Sequence, residues 1–420
     1  MTKILDLLKE DELFAGVDPG NTSTKVSYLN QEGNIESFAI PTVMAPAPAT
    51  AAAELSNSEL TGGQQLRGED VLHVQIISDA LPANHRRNYY YVGRYAMDRE
   101  GMVQPEDGAL KSGSELMTVT DLTSLAVAAL RLGKSSVRIN YSGGIPIGEY
   151  QEVGQSALDK LFGKHRVIFI DGPFSGGSVL LDIYAGTMRV EGVNSVLGLG
   201  YDIQQGKLLT TPLAEEFGIQ STYALADLGA GTADKAYYRN GKIDKNISTN
   251  AILKAEGSLG TNAFIDQLMK NIVALDNFAP IRKALGEADA SLYRNREEFV
   301  DSVIAPGVER LLQGEGKEEN EKNVLFTASW ARVKDVNITA LVLESMNNYA
   351  HRVKEELDHF WYVKAKDAER FGLVGGGVLF GYYYFRDMAE YTLPSPEIIR
   401  DAAFITARSY LIALVGSLQK

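Results

Sequence analysis

Two stretches of the sequence combine the residue types that bind phosphate. Residues 18–25 (DPGNTSTK) and 227–234 (DLGAGTAD) each begin with Asp, have Gly two positions later and continue with small or hydroxyl residues. A phosphate oxygen needs backbone N–H groups that point at it from a tight turn, and glycine and small side chains leave room for such a turn. An Asp beside a phosphate is tolerated when a divalent cation lies between them, and Mg²⁺ is often held through carboxylates and its own waters. Both stretches therefore predict turns that bind a magnesium-bound phosphate.

The residues of these turns are the candidate ligand contacts. In the first turn they are Asp18, Gly20, Asn21, Thr22, Ser23 and Lys25, and in the second they are Gly229, Ala230, Gly231 and Thr232. Asp18 and Asp227 are predicted to hold Mg²⁺ through water, with Asp234 as a further candidate. Lys25 is expected to reach the phosphates as a point charge. A third stretch, Gly375, Gly376 and Gly377, follows an apolar run and should let a nucleoside approach the backbone closely.

The two stretches that are predicted to bind phosphate align with each other in sequence. Residues 14–22 align with residues 223–231, so that Asp18 matches Asp227, Gly20 matches Gly229 and Tyr28 matches Tyr237. Each copy predicts a strand, an Asp-x-Gly turn, a second strand, another turn and a third strand. Repetition on this scale predicts two homologous domains.

Length and composition exclude several classes of protein. With 420 residues the chain is too long for one ordinary core, and its formal charge of −13 disfavours general nucleic-acid binding through a basic face. The absence of cysteine removes disulfides and thiol chemistry and fits a cytoplasmic protein. Residues 1–13 lack the apolar core of a signal peptide, and their four acidic against two basic residues would be repelled by anionic lipid, so no membrane attachment is expected.

Hydrophobic periodicity predicts an α/β protein. Apolar runs predict strands, among them residues 14–17, 26–29, 35–40, 137–141, 166–170, 179–184, 223–226, 243–248 and 371–374. Helical patterns occupy residues 121–132, 156–162, 259–275, 298–312, 338–360 and 396–415. Residues 41–68 are rich in Ala, Pro, Ser and Gly and predict an exposed loop, and the charged run 315–322 predicts a solvated one.

The three motifs together resemble those of the actin-like ATPase superfamily. Residues 18–25 resemble its first phosphate motif, 227–234 its second and 373–377 its adenosine motif, and segments 143–147 and 407–411 are similar to its connecting segments. The resemblance implies an α/β, actin-like fold of two related domains, each with a mixed sheet flanked by helices, with ATP and Mg²⁺ in the interdomain cleft. The implied domains are 14–215, with a smaller subdomain inserted at about 41–110 and helix 402–416 packing back onto it, and 216–400.

Within the superfamily, residues 144–150 and 90–96 resemble segments of the ParM/StbA plasmid-segregation proteins. That resemblance implies an ATPase that polymerises with itself into dynamic filaments and moves plasmid DNA through a centromere-binding adaptor protein. A small-molecule kinase that phosphorylates a sugar or an acid on the same fold is the alternative. A chaperone ATPase is the least favoured class, because we expect no substrate-binding domain.

The sequence offers more than one candidate for the residue that positions the attacking water. Related proteins place Glu or Gln before the second hairpin, but residues 191–198 (EGVNSVLG) place no acidic residue cleanly in that register. Asn194 or Ser195 could orient water by hydrogen bonding, and Glu191 could do so with a shifted alignment. These residues could instead cap the helix that follows. The candidate catalytic residues are therefore Asp227, Ser195 and Asn194.

Overall fold

The structure is a computed structural model. It describes residue 4 and residues 10–50, 68–105, 110–218, 221–244, 246–251, 259–286, 290–293, 295–314 and 324–418. Most of the leader, most of the predicted loop at 41–68 and the charged run at 315–322 lie outside these residues.

The chain divides into two compact units. The first comprises Met1–Gly218 and Phe404–Lys420, and the second comprises Ile219–Ala403. Each unit has its own sheet and its own hydrophobic core, as expected for a chain of this length.

The first unit is built on a nine-stranded mixed sheet. Its strands are β1 Glu12–Pro19, β2 Ser23–Leu29, β3 Ile35–Pro41, β4 Met44–Pro46, β5 Leu72–Ile77, β6 Arg87–Val92, β7 Ser136–Ile145, β8 Gly163–Phe169 and β9 Ser178–Val190. Their order in the sheet is β3-β2-β1-β7-β9-β8-β5-β6-β4. The central strands β1, β7 and β9 are parallel, whereas β2 and β3 are added antiparallel through the first Asp-x-Gly hairpin. A two-stranded ribbon also belongs to this unit, formed by β10 Tyr201–Gln204 and β11 Lys207–Thr210.

Helices cover the central strands of the first unit. They are α1 Glu115–Arg131, α2 Ile147–Val153, α3 Ser195–Gly200 and, after the second unit, α11 Ile405–Leu418. All eight residues of β1 are buried, which is typical of a strand covered on both faces. Ala15 and Val17 belong to the core that contains α1, whereas Phe14 packs with Leu411 of α11. A Cβ on Gly16 would lie 2.1 Å from the Ala407 carbonyl oxygen, so this strand position needs glycine to let α11 approach.

The second unit contains a five-stranded sheet and a β-ribbon. The sheet comprises β12 Tyr223–Leu228, β13 Ala233–Arg239, β14 Lys242–Ile243, β15 Thr249–Ala251 and β18 Arg370–Val374, and the ribbon comprises β16 Thr327–Trp330 and β17 Val333–Asn337. The helices are α4 Thr261–Val273, α5 Ala279–Leu285, α6 Arg296–Phe299, α7 Ala305–Leu312, α8 Thr339–His359, α9 Gly376–Phe380 and α10 Tyr382–Phe385. As in the first unit, a hairpin (β12–β13) joins antiparallel strands and its first strand pairs parallel with a later one, β18.

Several boundaries differ from the sequence prediction for identifiable reasons. Helix α1 begins six residues before Asp121, because Ser114 caps it by accepting the Met117 amide at 3.1 Å. The helix predicted at 298–312 changes to a π-helix at Val300–Ile304, before a proline in the first turn of α7. The helix predicted from residue 396 begins as the 3₁₀ helix Ile399–Phe404.

Candidate functional site

The first Asp-x-Gly turn is a tight hairpin between β1 and β2. The Gly20 amide donates to the Asp18 carbonyl at 2.9 Å and to the Ser23 carbonyl at 3.1 Å. A Cβ on Gly20 would lie 2.8 Å from the Ser23 oxygen, so the turn requires glycine. Asn21 and Thr22 at its tip are exposed, so the tip is open to a ligand.

Asp18 is buried, and one of its carboxylate oxygens has no hydrogen-bond partner among the described residues. It is 4% exposed, and its Oδ2 accepts a hydrogen bond from Lys25 Nζ at 3.2 Å across the hairpin. Its Oδ1 is buried and has no hydrogen-bond partner among the residues that the structure describes. A buried carboxylate oxygen with no partner is costly. It is chemically suited to accept a hydrogen bond from a cation-bound water, so Asp18 fits the predicted role at Mg²⁺.

The second turn repeats the backbone geometry of the first. The Gly229 amide donates to the Thr232 carbonyl at 2.8 Å, just as Gly20 donates to Ser23. Gly231 at the tip is exposed. Asp227 faces Asp234 across this hairpin, where the first hairpin has Asp18 facing Lys25. The second turn thus presents two carboxylates, a combination that suits a divalent cation better than an unscreened phosphate.

The three glycines after β18 lie beside the second turn. Gly375 has φ +91°, and a Cβ there would lie 2.5 Å from Asp227 Oδ1. A Cβ on Gly377 would lie 2.1 Å from the Tyr349 hydroxyl. Gly376 differs, because its nearest neighbour would be the Ala403 Cβ at 3.7 Å, an ordinary contact. Packing therefore requires glycine at 375, against Asp227, and at 377, against Tyr349, whereas the space beside Gly376 is available for a ligand.

The pKa of the Tyr349 hydroxyl is raised by burial and, secondarily, by the negative charge of Asp227. Tyr349 is fully buried, and its hydroxyl has no hydrogen-bond partner among the described residues. The phenol therefore stays neutral behind the glycines and adds no charge to the second turn.

A buried acid lies behind the first turn. Asp121 of α1 is 4% exposed and accepts a hydrogen bond from the Tyr141 hydroxyl at 2.9 Å. The pKa of Asp121 is raised to about 7, mainly by burial and in smaller part by the charge of Asp18, while the hydrogen bond from Tyr141 and the charge of Lys111 lower it. The Tyr141 hydroxyl occupies the space beside Gly143, where a Cβ would meet it at 2.5 Å. The sequence pattern predicts Asp121 at a helix start, whereas the structure buries it inside α1.

The candidate water-positioning residues occupy different environments. Ser195 is fully buried, and its hydroxyl lies 2.9 Å from that of Thr406 at the start of α11. Asn194 precedes α3 without capping it through its side chain. Glu191 directly follows β9 and pairs with Lys111 Nζ at 2.6 Å. Because β1, β7 and β9 are parallel, Glu191 lies at the same edge of the sheet as the first turn.

Two features are absent from the residues that the structure describes. No helix among them is long and apolar enough to cross a membrane. Within the same ranges, no group of three or more His, Cys, Asp or Glu side chains is arranged to hold a metal ion directly.

The fold and the paired turns define an actin-like protein. The family model for the N-terminal domain of actin-like proteins matches residues 16–179. No curated protein sequence matches the chain.

Solved structures of one bacterial protein match almost the whole chain. Bacillus thuringiensis ParM with ATP is 36% identical over 98% of this chain and 100% of its own, with a TM-score of 0.79. The same protein in apo form is 37% identical over 99% of each chain, with a TM-score of 0.73. A ParM solved as a 15-stranded filament from Clostridium botulinum shares the fold at 14% identity, with 97% of this chain and 99% of its own covered and a TM-score of 0.60. The chain belongs to the ParM family of actin-like proteins, which confirms the family and fold predicted from the motifs.

Proposed function

We propose that this protein binds and hydrolyses ATP, and that ATP drives its polymerisation into dynamic filaments that segregate plasmid DNA. The observation that carries the proposal is the pair of matched turns, in which Gly20 and Gly229 make the same backbone bond and leave the tips exposed. Relatives solved with ATP and with ADP support the choice of ligand.

Different residues of the turns are proposed to bind different parts of ATP. Backbone amides of residues 21–23 and 230–232 bind phosphate oxygens, because the tight turns leave those groups without side-chain obstruction. Lys25 adds a positive charge beside the first turn. Gly376 lets the nucleoside approach the backbone.

Asp18 and Asp227 are proposed to hold Mg²⁺ through its water molecules. The unpartnered Oδ1 of Asp18 in the first unit and the facing carboxylates of Asp227 and Asp234 in the second are each suited to accept hydrogen bonds from such waters. When bound, Mg²⁺ would neutralise phosphate charge. The carboxylates themselves fix the orientation of the waters they accept.

Asp227 is proposed to orient the attacking water as well. It is half-buried near the end of β12, and its Oδ1 lies close to Gly375, so its carboxylate is at the second turn. Asn194 is the second candidate, and Glu191 is a third because its carboxylate is held by Lys111 at the edge of the sheet that carries the first turn. The complete burial of Ser195 supports a packing role for its hydroxyl.

The partners follow from the same proposal. The protein itself is the main partner, in a heterologous contact that does not close and so builds filaments. An adaptor protein would link filament to centromere DNA in the cytoplasm, since a chain of net charge −13 does not favour direct binding to a phosphate backbone.

Pelleting of purified protein with Mg-ATP, Mg-ADP or no nucleotide tests this function. We expect filaments in the ATP pellet, visible by electron microscopy. The alternative, a small-molecule kinase, predicts protein that stays in the supernatant under all three conditions and transfers phosphate to a sugar or an acid.

A further inference from the structure

Thr42 holds the carbonyl groups of the first turn. Its Oγ1 donates to the Gly20 carbonyl at 2.7 Å, and its backbone amide donates to the Thr22 carbonyl at 3.0 Å. In a trans peptide unit the C=O of one residue and the N–H of the next point in opposite directions. Because the Gly20 and Thr22 carbonyls point towards Thr42, the N–H groups of Asn21 and Ser23 point away from it.

Thr42 packs against two further buried threonine hydroxyls. Thr24 Oγ1 lies 3.3 Å from Thr42 Oγ1 and 3.1 Å from Thr120 Oγ1, and Thr120 donates back to the Leu116 carbonyl of α1 at 3.1 Å. All three threonines are fully buried. Thr42 donates its proton to Gly20 and Thr24 donates its own to Thr120, so the Thr24 and Thr42 oxygens are in close contact without a proton between them. Thr24, at the start of β2, thereby links the strand that follows the turn to the long helix α1.

In the second turn different groups hold the carbonyls, and one of the two carbonyls held, that of Gly229, is equivalent to one in the first turn. The Gly229 carbonyl accepts from the Thr261 amide at 3.4 Å, and the Ala230 carbonyl accepts from the Asn262 amide at 2.9 Å. These donors are free amides in the first turn of α4, so no side chain is needed. A Cβ on Gly260 would lie 2.1 Å from the Ala230 oxygen, which explains the glycine before this helix. Within the part of the chain that the structure describes, a side-chain hydroxyl holds a carbonyl of the first turn, whereas backbone amides hold those of the second.

We propose that Thr42 is a positioning residue for nucleotide binding, which aims the Asn21 and Ser23 amides at phosphate by holding the carbonyls on the other side of the turn. This proposal rests on the proposed ATP-binding function. It assigns a role in binding to a residue outside the three motifs, and it predicts that the loss of one hydroxyl weakens the recognition of phosphate and leaves the recognition of the nucleoside intact.

The test compares Thr42→Val, Thr42→Ser and Thr123→Val with the parent, in full-length protein with Mg²⁺. Valine keeps the branched shape and the backbone amide of residue 42 but leaves the Gly20 carbonyl without its donor. Thr123→Val is the matched control, since Thr123 is fully buried on the same helix as Thr120 and its hydroxyl has no partner among the described residues. The affinities for ATP and for adenosine are measured by competition against a fluorescent nucleotide, and the melting temperature is measured alongside.

We expect Thr42→Val to weaken ATP binding by roughly 10- to 100-fold and adenosine binding by less than about 2-fold. Thr42→Ser should restore ATP affinity, and Thr123→Val should leave it unchanged. ATP affinity that is unchanged in Thr42→Val, or a loss that is equal for ATP and adenosine, would overturn the proposal. A parent protein that does not bind ATP would instead overturn the function on which the proposal rests.

Discussion

Asp18 and Lys25 face each other across the first hairpin with 3.2 Å between Oδ2 and Nζ, and the equivalent pair in the second hairpin is Asp227 and Asp234. The two turns share a backbone but differ in charge. The first turn balances its carboxylate with a cation, whereas the second concentrates negative charge. We infer that the first turn contributes more to holding phosphate and the second more to holding Mg²⁺.

Lys25→Met should weaken ATP binding by roughly 10- to 100-fold, because it removes a positive charge from the phosphate side and leaves the buried Asp18 without its partner. Isothermal titration calorimetry with Mg-ATP measures the effect. Lys25→Arg is the matched control, and it should retain most of the affinity because it keeps the charge. Equal affinity in Lys25→Met and the parent would show that this lysine serves only Asp18.

The three glycines after β18 should respond differently to substitution. Gly376→Val should fold, because its nearest neighbour is an ordinary contact with Ala403, and it should weaken nucleotide binding by placing a branched side chain against the nucleoside. Gly377→Ala should lower the melting temperature, because its Cβ would overlap the Tyr349 hydroxyl. Thermal melts and nucleotide titrations of both variants check this contrast. If Gly376→Val folds and binds ATP as tightly as the parent, these glycines serve packing and do not contact the nucleoside.

Asp121 should make the stability of the protein depend on pH. Its pKa in the folded state is raised to about 7 from an ordinary value near 4, so the unfolded chain loses this proton at lower pH than the folded one. The group therefore destabilises the fold progressively as pH rises from about 4 to about 7, and the deficit is constant above that range. Asp121→Asn should remove the deficit and be more stable at pH 8 by roughly 2–4 kcal/mol.

Urea unfolding of the parent and Asp121→Asn at pH 5 and pH 8, without nucleotide, measures this difference. The gap between the two proteins should widen from pH 5 to pH 8. A gap that is the same at both values would show that Asp121 has an ordinary pKa in the fold.

Asp227→Ala should separate binding from turnover. Removing a carboxylate from the crowded second turn leaves ATP affinity intact or higher, but the water near the terminal phosphate loses an oriented acceptor. We expect hydrolysis to slow by about 10²- to 10³-fold and the filaments to outlast those of the parent. Phosphate release and light scattering recorded side by side decide the point. Normal hydrolysis together with normal disassembly in Asp227→Ala would show that Asp227 has a structural role in the turn and no role in hydrolysis.

The local chemistry of the turns could be predicted from sequence, but their supports could not. Gly20 and Gly229 are short-range requirements of a tight turn, so residue type and spacing are enough to identify them. Thr42 lies at the start of a segment whose composition predicts a loop, and its role depends on its bonds to Gly20 and Thr22, which lie 22 and 20 residues earlier in the chain. Asp121 was likewise misplaced at a helix start, because acidic residues are common there and only the tertiary structure reveals its burial.

The measurement that tests the central claim most directly follows light scattering and phosphate release in one sample of the parent protein after Mg-ATP is added. We predict a rise in scattering at micromolar protein, then a fall as phosphate accumulates, and stable scattering when a non-hydrolysable ATP analogue replaces ATP. Protein that gives no rise in scattering with either nucleotide, over a broad range of concentration and salt, would contradict the account.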